Sequence, residues 1–282
     1  MTTTSLPTVL TLAGFDPSGG AGLQADIKTV HALGGYALSV ASAFTVQNSQ
    51  GVAAVYDTDL LQGTQVLQHL HKDYQFDAVK IGMLPNLGWV QTCHRELLQH
   101  SQVPSVLDPV LISSSGLPLI DENAIRELVE TLFPHVTLIT PNLPELNYFL
   151  GTSYLGQLEE MEEIGRHLKR LQVKNALIKG GHAQGDFAID YLIQNPGDQR
   201  LRVTPFQSPR LKVQHDHGTG CTLSSAIALS LAKGKKLVEA VSEAKTYLNR
   251  ALSEADHFQP HYRQGPVQKN RRGGLHHFFE RR

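Results

Sequence analysis

The run His215-Asp216-His217-Gly218-Thr219-Gly220-Cys221 leads straight into Thr222-Leu223-Ser224-Ser225-Ala226-Ile227-Ala228, so a flexible turn and a nucleophilic sulfur open an expected helix. The first N–H groups of a helix have no intrahelical acceptor and lie at the positive end of its dipole. That junction suits an anion such as phosphate. Gly218 and Gly220 remove Cβ bulk and let an anion approach the main chain. Cys221 shares the same field, which favours a thiolate able to act as a base or a reactive thiol. The segment fits equally a glycine turn before a core helix with a small buried cysteine, and on its own it leaves both readings open.

Other polar clusters stand just after short apolar runs. Gly14-Phe15-Asp16-Pro17-Ser18-Gly19-Gly20-Ala21-Gly22 precedes an expected helix carrying Asp26 and Lys28. It matches neither GxxxxGK[ST] nor GxGxxG, and Asp16 fits there as a turn or capping residue. Thr45-Val46-Gln47-Asn48 ends a run with two amides, which offer donors and acceptors to a flat polar heterocycle or simply satisfy a loop. Asp108-Pro109-Val110, with Ser113-Ser114-Ser115-Gly116 behind it, and Asn142-Leu143-Pro144-Glu145 supply the oxygen ligands that hydrated Mg²⁺ prefers. Each of these also fits a helix cap. Lys179 ends Leu177-Ile178-Lys179 before Gly180-Gly181-His182, as a point charge for a phosphate or as a snorkelling lysine. Together the clusters form a phosphoryl-transfer set of anion hole, cation, magnesium ligands and base. Such a reaction needs little beyond positioning and charge stabilisation.

The fourteen histidines do not assemble into a zinc motif. His215 and His217 are too close together and have no evident partners. His69 and His71 point to different helix faces, and His276-His277 lies near the end of the chain. All are expected to be surface or locally hydrogen-bonded groups.

The elements that must position these residues read as an alternating α/β chain. Thr8-Val9-Leu10-Thr11-Leu12, Ala78-Val79-Lys80-Ile81, Ser105-Val106-Leu107, Leu138-Ile139 and Ala176-Leu177-Ile178 are short continuous apolar runs, as in parallel strands covered on both faces. Leu23, Ile27, Val30 and Leu33 share one helical face, as do Ile125, Leu128, Val129 and Leu132. This alternation predicts a doubly wound sheet with its ligand site beyond the carboxyl ends of the strands. Phe187 to Ile193 and Leu201 to Phe206, separated by Asn195-Pro196-Gly197-Asp198, read as an attached antiparallel hairpin.

The 282 residues, 41% hydrophobic, suffice for one large domain, and the formal charge of -1 gives no reason to expect nucleic acid. No apolar run approaches a membrane span, and no basic, apolar signal sequence is visible. Cys93 and Cys221 form neither a CxxC pair nor a disulfide framework, so a reducing cytoplasm is the expected compartment. Residues 1–256 are expected to form one domain. Residues 257–282, with Arg263, Lys269, Arg271, Arg272, Arg281 and Arg282 against Glu280, are expected to be a partly ordered basic tail without assigned function.

In this arrangement the sequence resembles the hydroxymethylpyrimidine/phosphomethylpyrimidine kinases of thiamine biosynthesis, within the ribokinase-like superfamily. The resemblance rests on residues 13–26, Val46-Gln47-Asn48, Lys80-Ile81-Gly82-Met83-Leu84, Asp108-Pro109-Val110, Thr140 to Glu145, Lys179 to His182 and His217 to Thr222, in that order over nearly the whole chain. It implies a three-layer α/β/α fold around a mainly parallel sheet. It also implies MgATP-dependent phosphorylation of 4-amino-5-hydroxymethyl-2-methylpyrimidine and then of its monophosphate. By the resemblance, Gln47, Gly14, Asp16 and Met83 bind the pyrimidine, while Asp108, Asn142, Glu145 and Lys179 handle the ATP phosphates. Asp108 and Glu145 hold Mg²⁺, Gly218, Thr219 and Gly220 stabilise the moving phosphoryl group, and Cys221 stands where wider relatives place an aspartate base. A homodimer is implied in the same way. Two departures are visible: His215-Asp216 replaces the more usual Asn-Thr, and the charged stretch Gln268 to Gly274 separates Gly265-Pro266-Val267 from His276-His277-Phe278. A pyridoxal kinase of the same superfamily and a non-catalytic pyrimidine sensor are the rival readings.

Overall fold

The computed structural model describes residues 5–113, 116–180, 186–195, 200–258, 260 and 272–277. Ser114, Ser115, Gly181, His182, the hairpin residues Pro196-Gly197-Asp198 and most of the basic tail, with Arg263, Lys269, Arg271, Glu280, Arg281 and Arg282, lie outside the described residues. The chain begins β1 (Thr8–Phe15), α1 (Gly22–Ala32), β2 (Tyr36–Asn48), β3 (Gly51–Asp57), α2 (Leu60–His71) and β4 (Ala78–Ile81). It continues through α3 (Leu87–Gln99), β5 (Ser105–Leu107), α4 (Glu122–Glu127), β6 (Leu138–Ile139), α5 (Leu143–Leu150) and α6 (Met161–Arg170). It closes with β7 (Asn175–Ile178), β8 (Phe187–Gln194), β9 (Arg202–Pro209), α7 (Thr219–Ala232) and α8 (Leu237–Ser253).

The strands form one sheet in the order β3-β2-β1-β4-β5-β6-β7-β8-β9. Neighbours from β2 across to β7 pair in parallel, and β3, β8 and β9 add antiparallel edges. The expected strands and the β8–β9 hairpin are all present. The β2–β3 hairpin is the addition, and no turn signal marks it in the sequence. The order reverses between β1 and β4, and a crevice opens at the carboxyl ends of the strands at such a point.

Strand side chains alternate between two cores. Leu10, Leu12, Val79, Ile81, Leu107 and Ile139 enter the core under α2, α3 and α4, whereas Val9, Ala78, Val106, Leu138 and Leu177 enter the one under α7 and α8. This two-sided burial makes the strands read as continuous apolar runs rather than alternating ones. Helix α1 departs from the expected stripe: Leu23 and Val30 are buried, but Ile27 is 39% exposed and Asp26 is fully buried in its place.

Asp26 turns inward because Lys80 lies opposite it on β4. Both side chains are fully buried, with Lys80 Nζ 2.9 Å from each carboxylate oxygen. Thr11 of β1 and Ser225 of α7 each donate a 2.7 Å hydrogen bond to Asp26, so one carboxylate ties β1, β4, α1 and α7 together. Such a pair is weak evidence for stability as a unit, but losing one partner strands a buried charge and costs about 3–5 kcal/mol. Lys80→Met should therefore lower the unfolding free energy by about that amount in urea denaturation. Adding Asp26→Asn should recover part of the loss by removing the stranded charge.

Candidate active site

Every residue to which the family resemblance assigns a role lines one cavity of about 890 Å³ at the carboxyl edge of the sheet. At one end, β1 delivers Gly14 and Asp16, β2 delivers Gln47, and the turn after β4 delivers Met83. A Cβ on Gly14 would lie 2.9 Å from Met83 Sδ, so the glycine lets the thioether pack against the strand end. Gln47 follows a register shift in the β2–β3 ladder and hydrogen-bonds to Asp16.

Asp16 organises the glycine loop, as its turn reading implied. Oδ1 accepts from Ser18 N–H and Oγ at 2.8 and 2.7 Å, and Oδ2 accepts from Gly20 and Ala21 N–H at 3.1 and 2.8 Å. His217 Nε2 stands 3.0 Å from Oδ2. Burial works against the Asp16 charge, but the hydrogen bonds from His217, Ser18 and Gln47 outweigh it and hold the carboxyl well below its usual range.

At the other end β5, β6 and β7 bring together Asp108, Asn142, Glu145 and Lys179. Lys179 Nζ is 2.7 Å from Asp108 Oδ1, which also accepts from Thr140 Oγ1 at 3.0 Å. Asn142 and Glu145 form a capping box at the start of α5, each accepting a backbone N–H from the other at 2.8 Å. The cap reading thus describes their local structure, and Glu145 still lines the cavity. Burial raises the Glu145 carboxyl, and Asp108 adds to that rise while Lys179 opposes it. Asp108 is lowered despite burial, through Lys179 and Lys80. Two carboxylates that repel at the cavity wall fit a hard divalent cation, whose preferred donors are oxygens.

The glycines at the start of α7 are set by backbone approach. Gly218 is the N-cap of α7 at φ +86°, and a Cβ there would lie 1.9 Å from the Gly20 carbonyl oxygen. A Cβ on Gly220 would stand 3.0 Å from Asp108 Oδ2 and 3.3 Å from Lys179 Nζ, so the first turn of α7 rests on that ion pair. Thr219 Oγ1 donates to the Asp216 carbonyl, which closes the loop locally.

Cys221 corrects one expectation. The residue keeps partial exposure, but burial of its sulfur pushes the thiol up to about 11, with Asp26 and Asp108 raising it further. Lys80 and a hydrogen bond from Gly22 N–H oppose the rise without overcoming it, so the helix terminus alone does not yield a thiolate at neutral pH.

The histidines of the loop are also better connected than their spacing suggested. Besides the contact of His217 with Asp16, His215 Nδ1 accepts Gly273 N–H at 2.8 Å and His217 N–H donates to the Gly273 carbonyl at 3.1 Å. Arg272 makes a bidentate pair with Asp216 at 2.6 and 2.7 Å, lines the cavity, and donates its N–H to Ser49. Sequence reasoning missed Arg272 and the Lys80–Asp26 pair as parts of the site. Their partners lie 56 and 54 residues away, and no local pattern announces them.

A mainly parallel three-layer α/β/α fold with this cavity at its switch point defines a ribokinase-like small-molecule kinase. The phosphomethylpyrimidine kinase family model matches residues 16–268, and the chain belongs to that family. It is 40% identical over 258 residues to the hydroxymethylpyrimidine/phosphomethylpyrimidine kinase of Escherichia coli (strain K12), covering 92% of this chain and 95% of that protein. A crystal structure of phosphomethylpyrimidine kinase from Clostridium difficile 630 matches with a TM-score of 0.73 at 36% identity, over 87% of this chain and 99% of that one. An ADP complex of Bacillus subtilis pyridoxal kinase matches with a TM-score of 0.82 at 27% identity, over 97% and 98%.

A raised thiol has two measurable consequences. Alkylation of Cys221 by iodoacetamide in the free enzyme should be slow at pH 7 and rise with an inflection at about 11. Because the folded value lies above the ordinary 9.0, its contribution to stability is full below pH 9 and is lost as pH rises from 9 toward about 11.

Proposed function

We propose that the protein is an ATP-dependent kinase that phosphorylates the hydroxymethyl group of 4-amino-5-hydroxymethyl-2-methylpyrimidine and then converts the monophosphate to the diphosphate, on the route to thiamine diphosphate. The observation that carries this reading is the two-ended cavity, with Gln47 and Met83 at one end and the Lys179–Asp108 pair under the glycine turn of α7 at the other. Family membership supports it over nearly the whole chain.

In this reading Gln47 is oriented by Asp16 and pairs its amide with the aminopyrimidine edge, while Met83 and Gly14 supply an apolar wall. The N–H groups at Gly218 to Gly220 face the transferring phosphoryl oxygens, and Lys179 adds a positive charge there. Asp108 and Glu145, with Asn142 alongside, would hold Mg²⁺, which neutralises phosphate charge when bound. Cys221 takes the hydroxyl proton. Since it is a thiol in the free enzyme, it must lose its own proton first, so turnover should climb with pH through neutrality. A homodimer follows from the family resemblance, and the exposed Phe44, Val46 and Tyr56 on the β2–β3 arm offer a surface for it. Among the described residues no helix is long and apolar enough to cross a membrane, and we place the enzyme in the cytoplasm.

The deciding experiment measures ADP release with MgATP and either the pyrimidine or pyridoxal, with products identified by mass. Monophosphate followed by diphosphate from the pyrimidine is expected. Turnover of pyridoxal alone would make the protein a vitamin B6 kinase, and pyrimidine binding without any ADP would leave a sensor. Cys221→Ala should lose most turnover and its alkaline rise while pyrimidine affinity in calorimetry holds, and near-wild-type turnover would remove Cys221 as the base. Gln47→Ala should cost one hydrogen-bonded contact, about 1–3 kcal/mol or roughly 10–100-fold in kcat/KM for the pyrimidine. Its effect on any pyridoxal turnover should be small, because pyridoxal has no amino edge to lose.

A further inference from the structure

Helices α2 and α3 run close together on the face away from α7, since a Cβ on Gly63 of α2 would lie 2.2 Å from the Trp89 ring of α3. At their carboxyl ends this approach gathers three side chains. His71 is the last residue of α2, Glu96 lies one turn before the end of α3, and His100 is the C-cap of α3. Their ligand atoms all fall within 4.8 Å of one another, and none of the three lines the kinase cavity.

The Glu96 carboxylate is 5% exposed, and its Oε1 has no hydrogen-bond partner among the described residues. Yet this oxygen sits 3.0 Å from His71 Nε2 and 3.4 Å from His100 Nε2. Those separations match the edge of a tetrahedral zinc site, roughly 3.3 Å for ligands held about 2.0–2.1 Å from the ion. His71 also reaches Oε2 at 3.1 Å. The two imidazoles stack at 4.9 Å and pack against Phe76, which gives the cluster an apolar back wall. Their side chains are 25% and 31% exposed, which leaves an outward side for water as a fourth ligand. Two helix carboxyl ends meet here, and the partial negative charge of both dipoles favours a cation.

We propose that His71, Glu96 and His100 form a zinc site that clamps α2 to α3, separate from the catalytic magnesium. Two imidazoles and one carboxylate are donors for Zn²⁺ among borderline cations, whereas Mg²⁺ prefers an all-oxygen shell. Cys93, a turn earlier on α3, adds no thiolate, because burial pushes its thiol well above the ordinary range. His71, expected to be a surface or locally hydrogen-bonded residue, has its hydrogen-bonding contact with Glu96. Its partner comes from another helix, which spacing within α2 could not show.

The test is calorimetric titration of the full-length, tag-free, chelator-treated protein with Zn²⁺, and with Mg²⁺ as control. It is paired with melting curves and compared across the wild type, Glu96→Gln, His100→Ala and His69→Ala. His69 is exposed on the same helix and serves as a neighbouring histidine outside the cluster. Zinc should bind the wild type and His69→Ala at one equivalent and raise their melting temperatures, and Mg²⁺ should not reproduce this. Loss of one ligand should weaken zinc by at least the roughly 10–100-fold that outer-shell partners cost. ADP release by Glu96→Gln should stay at the wild-type level and certify its fold. Zinc affinity unchanged in both Glu96→Gln and His100→Ala, or no zinc binding to the wild type, would overturn the site.

Discussion

The buried pair of Lys80 and Asp26 is the constraint on which the active-site geometry depends. Lys80 projects from the central strand β4, at the point where strand order reverses, into the layer occupied by α1 and α7. An ammonium without solvent needs a carboxylate, and Asp26 satisfies it only because α1 turns that residue inward and leaves Ile27 outside. The second oxygen of Asp26 then binds Ser225, six residues into α7, so the charge on β4 fixes the depth and rotation of the helix whose N-terminus carries the glycine turn. The same ammonium acts on Cys221 and Asp108 through space, lowering both. A buried polar fastening in an apolar layer thus locates the end of the cavity where the glycine turn of α7 stands.

Above that fastening three loops meet with almost no room for side chains. Gly20 and Gly274 approach so closely that a Cβ on Gly274 would lie 2.7 Å from Gly20 Cα, and Gly218 approaches Gly20 from the other side. Main chain packed on main chain leaves polar groups that need partners. Asp16, His215 and His217 supply them, and Gly273 answers both histidines. Residues 272–277 do more than trail into solvent: Leu275 enters the core under α7 and α8, and His277 meets Tyr247 of α8 at 3.1 Å. His215-Asp216 and Arg272-Gly273 therefore bind each other across the site. Asp216 with Arg272 and His215 with Gly273 form one joint built from both.

The sheet and its switch point were legible because burial on both faces leaves a plain mark. Ala78 to Ile81 and Ser105 to Leu107 are apolar runs with the bounds of the strands themselves. Lys80 inside such a run was the one discordant residue, and it belongs to the pair described above. The β2–β3 hairpin was not legible, since β2 beyond Ala43 and all of β3 hold no buried side chain, and its turn, Ser49-Gln50, is neither Asn-Gly nor Asp-Gly. Asp16, Asp108, Asn142, Glu145 and Lys179 could be placed near the site because each follows a strand. Arg272 and the joint it forms with Asp216 could not, since nothing near either residue encodes a pairing 56 positions apart.

The charge state of Cys221 shows where local reasoning about helix termini stops. The positive end of α7 and the Lys80 ammonium both favour a thiolate, but the sulfur lies among Asp26, Asp108 and buried apolar surface, and desolvation is the largest influence on it. Asp108 is itself paid for by Lys179 and Lys80, and Glu145, next to it, is raised toward its neutral form. In the free enzyme the cavity wall thus holds one committed ion pair and two groups, Glu145 and Cys221, whose protons are held by burial and by neighbouring negative charge. A divalent cation between the carboxylates would reverse the pressure on Glu145 and remove part of the negative field that raises the thiol. In the proposed reaction, magnesium brought with ATP would also favour release of the Cys221 proton, which would couple the presence of the phosphoryl donor to activation of the proposed base within one electrostatic network.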